Sequence, residues 1–122
     1  MMLAGEDNAT SVDIDTLEAP RKRASLMGFS LIRLPDQEKW SDDGAGLKAI
    51  TGGDVVSVEP KYQNPYSTHI PAVILAVNNK PMRFTDRSGG VSRRRVIIQF
   101  SDQIAPEERD PQLRDKIAAI WL

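Results

Sequence analysis

The sequence predicts an α/β fold, because short apolar runs alternate along the chain with segments that carry helix signals. Two runs, Ala72–Val77 and Val96–Phe100, are almost wholly apolar, as is typical of strands buried on both faces of a sheet. Two further segments lie on either side of Asn64-Pro65, a turn signal, and one of them alternates apolar and polar residues. The chain has 122 residues, enough for one small domain with a single core.

The first third of the chain is predicted to contain an irregular segment, a helix and a strand. Residues 1–11 are small and polar and are expected to be ragged or flexible. Pro20–Met27 is predicted to be a short helix, since proline suits the first turn and Gly28 supplies a left-handed stop. Ser30–Leu34 is then a short strand that ends at a Pro-Asp dipeptide.

The middle of the chain is predicted to form a helix and a β-hairpin. Asp42 or Asp43 can cap a helix that continues through Ile50, with glycines beyond its end. Val55–Glu59 and Ser67–Ile70 are predicted to pair as the two arms of the hairpin.

The last helix is predicted at residues 110–122. Asp110-Pro111 is a start signal, and the apolar residues Leu113, Ile117 and Ile120 fall on one face. The whole chain, residues 1–122, is therefore treated as one domain.

Composition excludes several classes of site. Without cysteine there is no disulfide, no thiolate nucleophile and no zinc–thiolate site, and a single histidine argues against a histidine-built metal centre. No apolar run approaches the ~18 residues of a membrane span, and no secretory signal is recognisable, so we expect a cytoplasmic protein without membrane contact. No glycine is followed by lysine, so the phosphate-cradling P-loop, Gly-x-x-x-x-Gly-Lys-Ser/Thr, is absent from these residues.

Positive charge is concentrated in one segment. Lys80–Arg95 contains six Lys or Arg side chains and one aspartate, whereas the chain as a whole has a formal net charge of −1. A basic loop on an acidic body is typical of a local anion site.

Asp36 follows a predicted strand, and Glu38 lies two residues beyond it. A carboxylate at the end of a strand can hold Mg²⁺, directly or through water, and can polarise an attacking water. A Pro-Asp dipeptide after a strand is also an ordinary turn, so both interpretations stay open.

Polar groups also follow Ala72–Val77 and precede Val96–Phe100. Asn78 and Asn79 end the first run, and an amide there can position water against a phosphate. Arg93 and Arg94 belong to an arginine triplet that leads into the second run, and a guanidinium facing a transferring phosphoryl group is an arginine finger. The alternatives are a turn role for an asparagine and a solvated, aggregation-resistant edge for the arginines.

Two segments suggest contact with DNA. Lys48–Asp54 combines Lys48 with a glycine pair that lets the backbone turn tightly or approach a ligand. Lys61 and Tyr62 fall at the hairpin tip, where a lysine can meet phosphate and a tyrosine can stack on a base or sugar. A helix stop and a solubilising tip are the alternatives.

Taken in this order, the segments resemble the superfamily 3 helicase domain of phage and prophage primase-helicases of the satellite-phage alpha protein type. The resemblance extends from Leu3 to about Lys116. It is most specific at Lys48–Asp54, Ala72–Asn79 and Ser92–Phe100, followed by Glu107–Pro111.

The resemblance implies a three-layer AAA+-type (P-loop NTPase-like) ATPase with a β-hairpin insertion. Such proteins assemble as hexamers that use ATP and Mg²⁺ to unwind DNA at replication origins, in a bacterial cytoplasm when encoded by a prophage. Asp36 then matches the Walker B acid, Asn78 the sensor asparagine, and Lys61 the hairpin lysine that contacts single-stranded DNA. Arg93 and Arg94 match the arginine pair that reaches a neighbouring subunit.

The missing P-loop is the main departure from this family. We expect a partial domain without the P-loop strand and helix, inactive as an ATPase alone, in which Ala72–Val77 and Val96–Phe100 lose a shared neighbour. Marginal stability or self-association would follow. The alternatives are a non-enzymatic DNA-binding or subunit-interaction module and an inert prophage remnant.

Overall fold

The computed structural model describes residues 4–36, 39–40, 43–85 and 88–121. Glu38 and Asp42 lie outside the described residues. The strands and α-helices are, in chain order, β1 (Ala9–Ser11), α1 (Ile14–Glu18), β2 (Leu31–Leu34), β3 (Lys39–Trp40), α2 (Ala45–Gly52), β4 (Val56–Val58), β5 (Tyr66–Thr68), β6 (Val73–Ala76), β7 (Arg83–Phe84) and α3 (Leu113–Trp121). Four short 3-10 turns add to these, at Glu6–Asn8, Arg23–Leu26, Ser92–Arg94 and Pro106–Glu108.

A three-stranded parallel sheet in the order β1-β2-β6 forms the centre of the molecule, so the predicted α/β class is confirmed. Leu31 pairs with Val73 and Leu34 with Ala76, in continuous register. Alternation along β2 buries Ile32 and Leu34 completely and exposes Arg33 on the other face. A second parallel pair, β3 with β7, was not predicted.

The core lies on one face of this sheet. Residues from β2, both of the first two helices, the hairpin and the loops form one buried apolar cluster: Ile14, Leu17, Leu26, Ile32, Leu34, Ile50, Val56, Ile70 and Met82. On the opposite face, Val73 and Leu75 of β6 are 67% and 45% exposed. This second face of the sheet is uncovered in the described residues, and the expected three-layer arrangement stays a prediction.

The end of α1 joins three other elements through hydrogen bonds. Buried Arg23 donates from Nε to the carbonyl oxygen of Leu17 at 2.9 Å, from Nη1 to that of Ser57 at 3.0 Å, and from Nη2 to that of Glu18 at 3.3 Å. The Glu18 carboxylate accepts from the backbone N–H groups of Gly46 and Leu47, at 2.6 and 3.2 Å. It thus caps α2, where a negative charge is favoured by the helix dipole.

The hairpin is confirmed, with β4 and β5 antiparallel and Val58 opposite Tyr66. Val56 and Val58 point into the core while Ser57 is exposed, which is the alternation that the sequence predicts. The hairpin lies between α2 and β6 in the chain, as the resemblance implies for an insertion.

Val96–Phe100 is the largest error of the sequence prediction, since it forms no strand and is not buried. The segment carries no regular structure, and Val96 and Phe100 are 86% and 91% exposed. Its apolar character matches a buried strand, but no described strand offers it a hydrogen-bonding partner. The partly buried edge strand β6 departs in the same way from the prediction of a strand buried on both faces.

Local signals also misplaced elements near the amino terminus. The expected ragged segment contains β1, because Ala9–Ser11 pairs in parallel with Leu31–Arg33 of β2. Only Arg23–Leu26 of the predicted Pro20–Met27 helix is helical, as a 3-10 turn, although Gly28 does adopt a left-handed φ of 88°. Helix α1 was missed because five residues are too few to show a helical period.

The C-terminal helix is confirmed as α3, and Asp110 caps it. The backbone N–H of Gln112 donates to Asp110 Oδ1 at 2.9 Å, and Lys116 Nζ lies 2.6 Å from Oδ2. The Lys116 ammonium, and then this N–H, hold the pKa of the Asp110 carboxyl below its ordinary value. Leu113 and Ile120 are 50% and 79% exposed, so the predicted apolar face is largely uncovered.

Gly46 sits where α2 meets the end of α1, and we predict that it cannot be replaced. A Cβ atom there would overlap the carbonyl oxygen of Leu17, so Gly46→Ala should lower the free energy of unfolding by about 1–3 kcal/mol. Gly52→Ala is the matched control in the same helix, because a Cβ there meets nothing closer than 3.7 Å. Alanine has a higher helix propensity than glycine, so Gly52→Ala should raise the free energy of unfolding by up to about 1 kcal/mol.

Urea unfolding of both variants measures these effects. Equal effects of the two substitutions would contradict the close contact between α1 and α2.

Candidate functional site

Two of the predicted site residues follow the carboxyl ends of β2 and β6. Leu34 and Ala76 are the last pair of the ladder, and Asp36 and Asn78 each lie two residues beyond it. Neighbouring strands lie about 4.8 Å apart, which puts both residues at one edge of the sheet. Asp36 is exposed and Asn78 is half-buried. In parallel α/β sheets this edge is where ligands bind.

The fit of Mg²⁺ to this edge is partial. Asp36 supplies one carboxylate oxygen ligand of the kind that Mg²⁺ prefers, and such ions are commonly bound by one or two carboxylates together with substrate phosphates. The described residues contain no cluster of three potential His, Cys, Asp or Glu ligands. Asp36 and Asn78 therefore suit the metal and water side of a nucleotide site, while the phosphate cradle is missing from the sequence.

A cavity of about 400 Å³ adjoins this edge. Asn78, Lys80 and Arg94 contribute polar groups to its wall, together with apolar side chains of β6 and of the Val96–Phe100 segment. Asn78, Arg94 and Arg95 thus line one space, whereas Arg93 and Asp36 are not among its lining residues. Lys80 was predicted only as the first cation of the basic segment Lys80–Arg95, although its position directly after the double asparagine was a usable signal for a site residue.

The three arginines differ in their contacts. Arg94 Nη1 donates to the carbonyl oxygen of Gly90 at 2.6 Å, and Arg95 Nη1 donates to that of Met82 at 2.7 Å. The Arg95 guanidinium also lies 5.4 Å from the ring centroid of Phe84. Arg93 is exposed, and its side chain makes no hydrogen bond or ion pair within the described part of the chain.

The arginine triplet does not lead into a strand, as the sequence predicted that it would. Ser92–Arg94 is a 3-10 turn, in which successive side chains point about 120° apart. Two guanidinium groups are therefore held by their own chain, and Arg93 is the one directed to solvent.

The hairpin tip is strained. The N–H of Gln63 donates to the carbonyl oxygen of Pro60 at 3.4 Å, closing a turn with Lys61 and Tyr62 at its centre. Tyr62 has φ 62°, a left-handed value that is unfavourable for a residue with a Cβ. Its ring is 93% exposed, and Lys61 Nζ lies 5.0 Å from the ring centroid.

Lys48 is separated from this tip in the sequence and in its structural setting. It lies in the middle of α2 and is half-buried, whereas Lys61 and Tyr62 are exposed at the hairpin turn. Neither tip residue lines the cavity near Asn78. The candidate nucleotide residues and the candidate DNA residues are therefore two distinct regions of the surface.

No model of a known protein family matches this chain. Among the described residues, none of the helices is both long and apolar enough to cross a membrane.

We predict that Tyr62→Gly stabilises the fold. Glycine accepts a left-handed φ without steric cost, so the free energy of unfolding should rise by up to about 1 kcal/mol. Thermal and urea unfolding measure the change. Gln63→Gly is the matched control at an exposed neighbour whose φ is not positive, and it should not stabilise. A lower free energy of unfolding in Tyr62→Gly would show that the contacts of the Tyr62 ring stabilise the fold by more than the left-handed φ destabilises it.

Proposed function

We propose that these residues are the part of a phage or prophage primase-helicase ATPase domain, of the superfamily 3 and AAA+ type, that follows the P-loop. The observation that carries the proposal is the matched position of Asp36 and Asn78 at the carboxyl edge of adjacent parallel strands. A Walker B acid and a sensor asparagine need this juxtaposition, because both act on the same water and phosphate. The β4–β5 hairpin between α2 and β6 supports the same assignment.

In such a domain ATP and Mg²⁺ supply the phosphoryl chemistry. Asp36 would hold the metal, with Glu38 as the nearby acid that sequence suggests, and Asn78 would orient the attacking water. Backbone groups and the lysine of a P-loop provide most phosphate contacts, and none is present here. The chain by itself is therefore not an ATPase.

Arg93 is the residue that can act on a neighbouring subunit. Arg94 and Arg95 already donate to carbonyl oxygens of their own chain, at 2.6 and 2.7 Å, so their guanidinium groups would have to give up these bonds. The Arg93 guanidinium has no such bond to break among the described residues. In a ring such as the hexamer of this family, it would stabilise charge on the γ-phosphate held by the next subunit.

The effect of the chain on an intact ring tests this role. Excess chain mixed with an intact primase-helicase of this type should lower the ATPase rate, because each incorporated chain brings no phosphate cradle. Chain carrying Arg93→Ala should lower the rate further, since the neighbour's site then loses an arginine worth about 10³-fold or more in kcat.

Arg114→Ala is the control for this experiment. It removes the same charge at an exposed position of α3 and should behave like the unaltered chain. An ATPase rate that stays constant at excess chain would exclude entry into the ring.

A second candidate function is a DNA-binding module without ATPase activity. The exposed, strained tip favours it. Lys48, half-buried on α2, does not share this exposure. The two functions differ in whether the chain changes the ATPase rate of an intact ring, which a stand-alone DNA-binding module would leave unchanged.

We predict that Lys61→Ala and Tyr62→Ala each weaken binding to single-stranded DNA. Loss of base stacking should cost about 1–3 kcal/mol, and loss of the lysine should also reduce the salt dependence of binding. Fluorescence anisotropy with labelled oligonucleotides at several salt concentrations measures both. Lys116→Ala on α3 is the charge-matched control. Unchanged binding in both tip variants would remove the hairpin from the proposal.

A further inference from the structure

Among the described residues, no strand pairs with the free edge of β6 or with the Val96–Phe100 segment. β2 occupies one edge of β6, and no other described strand pairs with the opposite edge. The Val96–Phe100 segment likewise forms no ladder with any described strand. Val96, Ile98 and Phe100 are 86%, 74% and 91% exposed. Exposed apolar strand edges are the usual sites of strand addition from another chain.

The two segments face each other across the cavity of about 400 Å³ and do not pair within one chain. Arg95 anchors the start of the segment by donating to the carbonyl oxygen of Met82, and the preceding 3-10 turn fixes the direction from which the chain arrives. The space along β6 is thus open to a strand that comes from elsewhere.

We propose that this strand is Val96–Phe100 of a second copy, so that two chains exchange the segment reciprocally. Each copy then donates one strand and accepts one, which makes a closed, symmetric dimer. The segment has no charge and is rich in β-branched and aromatic residues, as an added strand requires.

Avoidance of like charges selects a parallel arrangement of the exchanged strand. With Val96 beside Val73, Ile98 lies beside Leu75 and Asp102 beside Asn79, so no like charges are paired. The antiparallel arrangement would place the arginine triplet next to Lys80 instead, and like charges in neighbouring strands are destabilising. The exchange uses the sheet edge and not the Arg93 guanidinium, so it can be tested separately from the proposed ring.

Cross-linking of single-cysteine variants tests both the partner and the register. The chain has no cysteine, so any disulfide must join the introduced residues. Leu75→Cys chains mixed with Ile98→Cys chains should give a mixed disulfide dimer, because paired positions meet the required geometry. The yield should exceed that of Leu75→Cys with Ile104→Cys by about tenfold. Equal yields, or a predominance of Leu75→Cys homodimers, would overturn the proposal.

A charge substitution tests the same interface without cross-linking. Ile97 and Ile104 are 55% and 56% exposed, so lysine at either position should leave the monomer folded. Ile97→Lys should shift the chain to monomer in sedimentation, while Ile104→Lys should sediment as the unaltered dimer does. Circular dichroism checks that both variants keep their secondary structure. An unaltered chain that is monomeric at high micromolar concentration would refute strand exchange.

Discussion

The contact between the end of α1 and the start of α2 is the constraint on which the rest of the structure depends. Gly46 lets the α2 backbone touch the carbonyl oxygen of Leu17, and only that approach allows the Glu18 carboxylate to cap the helix. Arg23 then satisfies the carbonyl groups that end α1 and holds the hairpin through Ser57. Leaving such buried acceptors unsatisfied costs about 1–3 kcal/mol each, so the junction determines where three elements can sit.

This junction and the sheet together position the residues of the candidate site. Helix α2 packs over the buried face of β2 through Ile50, and β2 aligns β6, whose end carries Asn78. The hairpin projects from the same framework with Lys61 at its tip. The two candidate regions are therefore held by one core although they do not touch, and a coupling between them would have to pass through α2 and the sheet.

Local signals in the sequence predicted β2, α2, the hairpin and α3, because caps, turns and alternation act over a few residues. The sequence also placed Asp36 and Asn78 directly after predicted strands, and the two strands that precede them are neighbours in the sheet. The prediction failed for Val96–Phe100. Its apolar residues indicate that the segment should be covered, but they do not identify the element that covers it. The hydrogen bonds of Arg94 and Arg95 depend on the 3-10 turn, and no local sequence pattern predicted this turn. Assignment to a helicase family remains a proposal.

The buried guanidinium of Arg23 bonds α1 and the hairpin into one unit. Because one side chain bonds α1 and the hairpin together, neither can open to solvent without breaking the other's contacts, and they should exchange their amide hydrogens as one cooperative unit. The chain after Val91 is held differently, through the bonds of Arg94 to Gly90 and of Arg95 to Met82 and through the contact of Arg95 with the Phe84 ring. Arg93 lies in this exposed segment, outside the unit that Arg23 bonds together.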